Sequence, residues 1–171
     1  LVNLQAADML ASLEKGDIDF FAAWEPWGLK AEEFGGKVLF TGTQSYLPEN
    51  TGEVDYLDFI VCINANRDFY KSNPDACVAY VKAMMKATDY INNNMEDAAK
   101  IIAEQINLDA DECYKIMQKN EYKVTFDETY KNSCESIAEY MQETGMTSSL
   151  VSYDSFNETS VLKSIDASLV E

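Results

Sequence analysis

A short apolar run, Ile18–Ala23, constrains the fold of this chain more than any other segment does. It follows a predicted helix, Gln5–Lys15, whose apolar residues recur at helical spacing and which Gly16 ends. A nearly continuous apolar run in this setting is typical of a strand buried on both faces. The run leads into Trp24–Trp27, where two indoles flank a carboxylate and a proline. We therefore predict an α/β unit that presents ligand-binding groups at the carboxyl end of a strand.

Two further strands are predicted downstream, before helical patterns dominate. They are Lys37–Thr41 and Tyr56–Asn64, the second rich in β-branched and aromatic residues, and Gly42–Val54 between them is predicted to be a loop. From Pro74 onward, apolar residues recur with the period of a helix. The predicted helices after the first are Pro26–Phe34, Pro74–Ile91, Met95–Gln105, Asp109–Asn120, Asp127–Thr144 and a short one within Ser155–Glu171.

Composition narrows the possible functions. The 171 residues are 47% hydrophobic, which is enough for one domain or one large part of a two-domain protein. The formal net charge is −17, with 13 basic and 30 acidic residues, and it argues against nucleic-acid and membrane-surface partners. Histidine is absent, which removes the commonest general base and the commonest metal ligand. We therefore expect no metal site, no cofactor and no catalysis.

The four cysteines, Cys62, Cys77, Cys113 and Cys134, form no CxxC motif, so zinc binding has little support. Cys77 and Cys134 lie on the apolar faces of predicted helices and are expected to be buried thiols. A disulfide is possible, but the sequence assigns no pair.

The first residue is leucine, and three short strands do not make a convincing parallel sheet. We expect the chain to be a fragment or a processed product whose remaining strands precede it. No apolar run is long enough to span a bilayer.

Several motifs in order resemble one family. The segment Leu13–Asp19 leads through the apolar run to Trp24–Trp27, and Gly36–Leu39 follows. Asn66–Phe69 and Asn73–Asp75 then begin helical segments. This order and spacing resemble the C-terminal half of substrate-binding proteins of ABC importers, in the nitrate/sulfonate/taurine and thiamine-pyrimidine-precursor group.

The resemblance implies a partial type II periplasmic-binding-protein-like α/β fold, with few short strands followed by a helix-rich C-terminal part. Residues 1–56 would form the remainder of the second lobe, 57–66 a crossover or hinge strand, and 67–171 part of the first lobe. The implied function is solute capture by lobe closure, without covalent chemistry, for an ABC permease in the membrane. The implied location is extracytoplasmic, in the periplasm or at the cell surface as a lipoprotein.

Trp24, Glu25 and Trp27 are the first candidate ligand-binding residues. Indoles stack on planar or apolar ligands, and a carboxylate accepts hydrogen bonds from an amino group. The alternative is that both indoles are packing residues and that Glu25 caps the helix beginning near Pro26.

Tyr56, Asp58 and Thr41 are the other candidates. Tyr56 can hydrogen-bond a ligand, Asp58 can select a cationic group, and Thr41 offers a neutral donor to an oxyanion. Their alternatives are hinge structure, solvated charge and turn formation. No basic cluster lies near these residues in the sequence, which disfavours nitrate or sulfonate and favours an aromatic or amine-bearing solute such as a pyrimidine.

Two other functions remain open. One is a pyrimidine-precursor biosynthetic enzyme on the same fold, which would need a reactive histidine or cysteine. The other is a helical interaction module, which would leave an exposed apolar patch on the helices of residues 74–144.

Overall fold

Helices make up most of the secondary structure in this computed structural model, which describes residues 2–171. The chain divides into a first unit that ends at Phe59 and a second unit, Ile60–Glu171. Single 3₁₀ turns occupy Tyr153–Ser155 and Ala167–Leu169. The helices and strands are α1 Ala6–Lys15, α2 Trp27–Glu32, β1 Gln44–Ser45, β2 Gly52–Glu53, α3 Arg67–Ser72, α4 Pro74–Asn93, α5 Met95–Ile106, α6 Ala110–Met117, α7 Glu128–Glu143 and α8 Ser160–Ile165.

In the first unit, α1 packs against α2. Gly16 ends α1 in the left-handed region, with φ 77°, and its N–H donates to the Leu13 carbonyl at 3.0 Å. The next N–H, of Asp17, donates to the Ser12 carbonyl at 2.9 Å, so the last carbonyls of the helix are satisfied. The predicted helix and its stop are confirmed, and Pro26–Phe34 is confirmed as the shorter α2.

A small antiparallel hairpin forms where the sequence predicts a loop. β1 pairs with β2 through Gln44 opposite Glu53 and Ser45 opposite Gly52, and Phe40 adds an isolated bridge to Ser45. Ser45 is fully buried, and its hydroxyl accepts a hydrogen bond from the Leu47 N–H at 3.3 Å. These short-range contacts hold the two strands of the hairpin together.

The three predicted strands are the main error. Ile18–Ala23, Lys37–Thr41 and Tyr56–Asn64 contain no regular strand, apart from the bridge at Phe40. A strand needs a hydrogen-bonded neighbour, and β propensity alone does not supply one. Within the segment predicted as a crossover strand, Val61 is instead 85% exposed and lies outside any helix or strand. The described fold is therefore mostly helical with one two-stranded sheet.

Helix starts in the second unit follow local capping chemistry. Asn66 caps α3, with its Oδ1 accepting from the N–H groups of Asp68 and Phe69 at 2.9 and 3.2 Å. Asp109 and Asp127 cap α6 and α7 in the same way. These side chains satisfy N–H groups that the first helical turn leaves without partners. The predicted helices α4–α7 are confirmed to within a few residues.

The core of the second unit lies between α5 and α6. Ala98, Ala99 and Ala103 on α5 are buried against Cys113 and Met117 on α6. Small alanine side chains allow the two helices to approach closely, and the sulfur-containing side chains fill the space between them.

The expected burial of two thiols is wrong. Cys77 and Cys134 are half-buried, Cys62 is exposed, and Cys113 is the buried one; all four thiols are free. The reason is that few side chains of these two helices are packed inward: α4 has no buried residue among those described, and α7 buries Tyr130 and Ala138, whereas α6 packs directly on α5.

An aromatic cluster forms a second packing centre around Tyr130 on α7. The ring centroid of Tyr130 lies 5.5 Å from that of Phe126 and 5.8 Å from that of Tyr153. Phe126 also forms a parallel bridge with Val170, and its N–H donates to the Leu169 carbonyl at 2.9 Å. The last residues of the chain are thereby attached to the start of α7.

Candidate functional site

The turn into α2 presents its two indoles differently. Trp24 is 66% exposed, whereas Trp27 is half-buried as the first residue of the helix. The N–H of Trp27 donates to the Trp24 carbonyl at 3.2 Å, and the N–H of Lys30 donates to the Pro26 carbonyl at 2.9 Å. Backbone bonds therefore fix the turn, and they leave the Trp24 indole available to solvent.

Glu25 makes the helix-capping contact that its position allows. Its Oε2 accepts a hydrogen bond from the Leu29 N–H at 3.0 Å, and the carboxylate makes a further interaction. A negative group at this end of the helix is favourable because the N–H groups there carry partial positive charge. Gly28 faces the carboxylate, and a Cβ built there would lie 3.4 Å from Oε2. Glu25 therefore positions the turn.

Lys30 is the residue that the sequence analysis missed. Its Nζ lies 5.5 Å from the ring centroid of Trp27, within the range of a cation–π interaction. The signal was present, because residues three apart on a helix lie on the same face. The turn thus combines an exposed indole with a cation placed over the second indole.

Thr41 forms a turn in the hairpin region. Its Oγ1 accepts hydrogen bonds from the N–H of Gln44 at 2.9 Å and from the N–H of Thr43 at 3.3 Å. Its own N–H donates to the Gln44 carbonyl at 2.6 Å. This geometry agrees with the turn-forming alternative, since the hydroxyl oxygen already has two donors.

Tyr56 is attached to the same region. Its hydroxyl accepts a hydrogen bond from Asn50 Nδ2 at 3.1 Å, and its ring meets Phe40 edge to face at 5.9 Å. Its N–H donates to the Gly42 carbonyl at 2.8 Å. Asp58 is half-buried and makes interactions of its own. Two local groups of contacts result, one at the start of α2 around Trp24, Glu25 and Trp27, and one beside the hairpin around Thr41 and Tyr56.

A cavity of about 450 Å³ lies elsewhere, within the second unit. It is lined by α7 and residues 150–154, and none of the six candidates contributes to it. Its charged lining consists of Lys131, Glu135, Glu139, Asp154 and Glu171. Four carboxylates against one lysine make it unsuitable for an anionic solute.

Neither a metal-binding cluster nor a membrane-spanning helix is found among residues 2–171. The residues described here hold no group of three or more Cys, Asp or Glu side chains placed to bind a metal ion. Among residues 2–171, no helix has both the length and the apolar character needed to cross a membrane.

Comparison with known proteins identifies related sequences. The profile of the NMT1-like family matches residues 1–107, a range that contains all six candidates and Lys30. A Bacillus subtilis (strain 168) protein named "Putative aliphatic sulfonates-binding protein" is 23% identical over 124 residues, which are 71% of this chain and 34% of that protein. The chain thus spans about a third of the length of this curated relative. No solved structure matches the chain significantly.

Proposed function

This chain belongs to the NMT1-like family, of the nitrate/sulfonate/taurine type of ABC substrate-binding proteins, and we propose that it acts in solute binding for an ABC importer. In this proposal the protein captures a small molecule by lobe closure and delivers it to the permease subunits. It works outside the cytoplasm, in the periplasm or as a lipoprotein at the cell surface. The match of the family profile over residues 1–107 is the observation that carries the proposal.

The proposed fold is the type II periplasmic-binding-protein-like architecture of the family. Residues 1–56 would belong to the second lobe, 57–66 to the crossover between lobes, and 67–171 to the first lobe. The division of the chain after Phe59 falls inside the proposed crossover.

The proposed binding surface is centred on Trp24, Trp27 and Lys30. The exposed Trp24 indole offers an apolar face for stacking, and Lys30 above Trp27 offers a positive charge. Glu25 holds the turn that carries the two indoles. Thr41 and Tyr56 complete the proposal as residues that shape the hairpin segment, through the turn and the Asn50 contact described above. Asp58 remains part of the proposal as a half-buried carboxylate that follows Tyr56 in the sequence.

An organic anion with an apolar body is the proposed ligand class. Lys30 supplies a cation at the turn, which the sequence analysis did not place there, and the curated relative is named for aliphatic sulfonates. A sulfonate oxygen suits an ammonium donor, and an alkyl chain suits an indole face. An amine-bearing pyrimidine, favoured by the sequence alone, is the competing prediction.

The family and the name of the relative support binding rather than catalysis in this proposal. A helical interaction module is the second candidate. Exposed apolar side chains on the later helices favour it, namely Tyr80, Tyr90, Ile101, Ile106, Ile137 and Tyr140. Such a module would bind a protein through these faces, and its tryptophan signal would not respond to small solutes.

Tryptophan fluorescence tests the solute proposal directly, because the chain has only two tryptophans and both lie in the proposed surface. The full chain is titrated with a linear alkanesulfonate, an aminopyrimidine, an amino acid and nitrate, while emission and melting temperature are followed. Saturable quenching with a rise in melting temperature for the alkanesulfonate supports the ligand class. The same response to the aminopyrimidine alone supports solute binding but contradicts the anionic class.

Lys30→Gln separates the two ligand classes further. Loss of charge is expected to weaken alkanesulfonate binding roughly 10-fold and to leave aminopyrimidine binding unchanged. Lys37→Gln is the matched control, since Lys37 is exposed outside α2. No response to any of the four solutes, in fluorescence or in melting temperature, would refute the proposed surface.

A further inference from the structure

A thiol from a distant part of the sequence contacts a tyrosine that shares a helix face with a second cysteine. The Sγ of Cys62 donates to the Tyr130 hydroxyl oxygen, 3.4 Å away. Cys134 lies one helical turn beyond Tyr130 on α7, so the two side chains lie on the same face, and the Cys134 thiol helps to raise the pKa of the Tyr130 hydroxyl. The hydroxyl itself donates to Asn157 Oδ1 at 2.7 Å, so its oxygen is free to accept from sulfur.

The two cysteines lie in different kinds of structure. Cys134 is on α7, whereas Cys62 is exposed in a segment outside any helix or strand. A disulfide requires Cα atoms about 4.4–6.8 Å apart. Because Cys62 contacts the side chain of Tyr130, and Cys134 lies on the same helix face as Tyr130, a shift of the irregular segment would bring the two sulfurs together.

We propose that Cys62 and Cys134 are an oxidative modification site that closes to a disulfide when a small-molecule disulfide is the oxidant. The Cys62 thiolate attacks one sulfur of that oxidant, forms a mixed disulfide and releases the first thiol. The Cys134 thiolate then attacks Cys62 Sγ and releases the second thiol. The two cysteines lose two protons and two electrons, and the oxidant is reduced to two thiols.

The other two thiols are poorly placed for this reaction. Cys113 is buried between α5 and α6, and burial raises the pKa of its thiol, so little thiolate is present. Cys77 lies near the start of α4, outside the Tyr130 contacts. A bond between Cys62 and Cys134 would fasten the irregular beginning of the second unit to α7. This inference goes beyond the proposed function and does not depend on it.

Thiol counting tests the pair on the purified chain. The chain is incubated with oxidised glutathione, quenched with an alkylating agent, digested and examined by mass spectrometry. The expected result is that free thiols fall from the four seen here to two, with one peptide pair linked through Cys62 and Cys134. The disulfide form should also melt at a higher temperature than the reduced form.

Single serine variants check the order of steps. Cys134→Ser is expected to accumulate glutathione on Cys62, because the second thiol is missing, and Cys77→Ser is expected to form the bond as the parent chain does. Retention of four free thiols, a stable glutathione adduct on the parent chain, or a bond involving Cys77 or Cys113 would each overturn the proposal. The parent chain decides these outcomes even where a variant fails to fold.

Discussion

Lys123 and Asp127 form an ion pair, with 2.7 Å between Nζ and Oδ2, at the point where α7 begins. The other oxygen of Asp127 accepts a hydrogen bond from the Tyr130 N–H at 2.9 Å. One carboxylate thus serves both a surface ion pair and a helix cap. The two roles have different expected energies, which makes them separable by mutation.

Asp127→Ala is expected to lower the free energy of unfolding by about 1–2 kcal/mol, because the N-cap of α7 is lost. Lys123→Met is expected to cost less than about 1 kcal/mol, since a partly exposed ion pair is screened by water. Urea denaturation at neutral pH, followed by circular dichroism, measures both values. A larger loss for Lys123→Met than for Asp127→Ala would contradict the capping role.

The same carboxylate should make folding stability depend on pH in the acid range. The Lys123 ammonium, followed by the Tyr130 N–H, holds the pKa of Asp127 below its ordinary value of 3.8. The folded state therefore binds a proton less readily than the unfolded state. This stabilisation is complete above about pH 4 and is lost as the pH falls below that value. In Asp127→Asn, the free energy of unfolding should decrease less steeply over the same acid range.

For Tyr130 we expect the opposite pH dependence of folding stability, at high pH. Burial, with hydrogen bonds to Cys62 and Cys134, raises the pKa of its hydroxyl far above the ordinary value of 10.0. The unfolded state loses this proton first, so stability is retained below about pH 10 and falls as the pH rises further.

Tyr130→Phe should reduce the alkaline slope of unfolding free energy by at most about 1.4 kcal/mol per pH unit. Denaturation at a series of pH values from neutral to alkaline measures the slope. Tyr140→Phe is the matched control on α7, because that side chain is 59% exposed. Equal slopes for Tyr130→Phe and the parent chain would contradict the assignment.

Replacing each of two glycines of the first unit by alanine should change the stability of the fold in opposite directions. At Gly28 within α2, a Cβ meets Glu25 Oε2 at 3.4 Å, an ordinary contact, so better helix propensity should add about 0.5–1 kcal/mol. At Gly42, a Cβ would lie 1.9 Å from the Leu57 carbonyl oxygen. Gly42→Ala must therefore displace the backbone that carries Tyr56 and Leu57, and destabilisation is expected. Thermal unfolding monitored by tryptophan fluorescence compares the two variants, and a stabilising Gly42→Ala would be inconsistent with this packing.

Trp24→Ala should separate binding from stability. The side chain is largely exposed, so its removal should change the free energy of unfolding by less than about 0.5 kcal/mol. Loss of a stacking face should weaken solute binding roughly 10-fold or more, measured by calorimetry on the full chain. Phe20→Ala is the control, because Phe20 is 74% exposed four residues earlier. Equal affinities for Trp24→Ala and Phe20→Ala would exclude Trp24 from the site.

The helices were predictable because their signals are local. Gly16, Pro74 and Asp127 each act within one turn of the helix they end or begin, and each does so in the structure. The strands were not predictable in this way, since Tyr56–Asn64 has suitable residues but lacks a neighbouring strand in the described chain. The hairpin escaped prediction because it depends on contacts such as those of Gly42 with Tyr56 and Leu57, which composition does not reveal.

For the candidate residues, only their local contacts can be compared with the sequence-based expectations. The exposed position of Trp24 after the apolar run agrees with an available indole, and the capping alternative for Glu25 matches its contact with Leu29. Lys30 was missed because a single lysine is not a basic cluster, although it lies three residues after Trp27 and therefore on the same helix face. Thr41 and Tyr56 form hydrogen bonds within the hairpin segment, and only the folded structure shows these contacts.

The exposed segment between β2 and α3 has a consequence for how the protein behaves in concentrated solution. Phe59–Asn66 contains no charged residue and no proline, and Phe59 and Val61 are 79% and 85% exposed. Such a segment is a template for intermolecular cross-β stacking, which mutual repulsion between molecules of net charge −17 opposes. Acidification toward the isoelectric point near 4.2 removes that repulsion, so turbidity and thioflavin fluorescence should rise there and fall again in Val61→Lys.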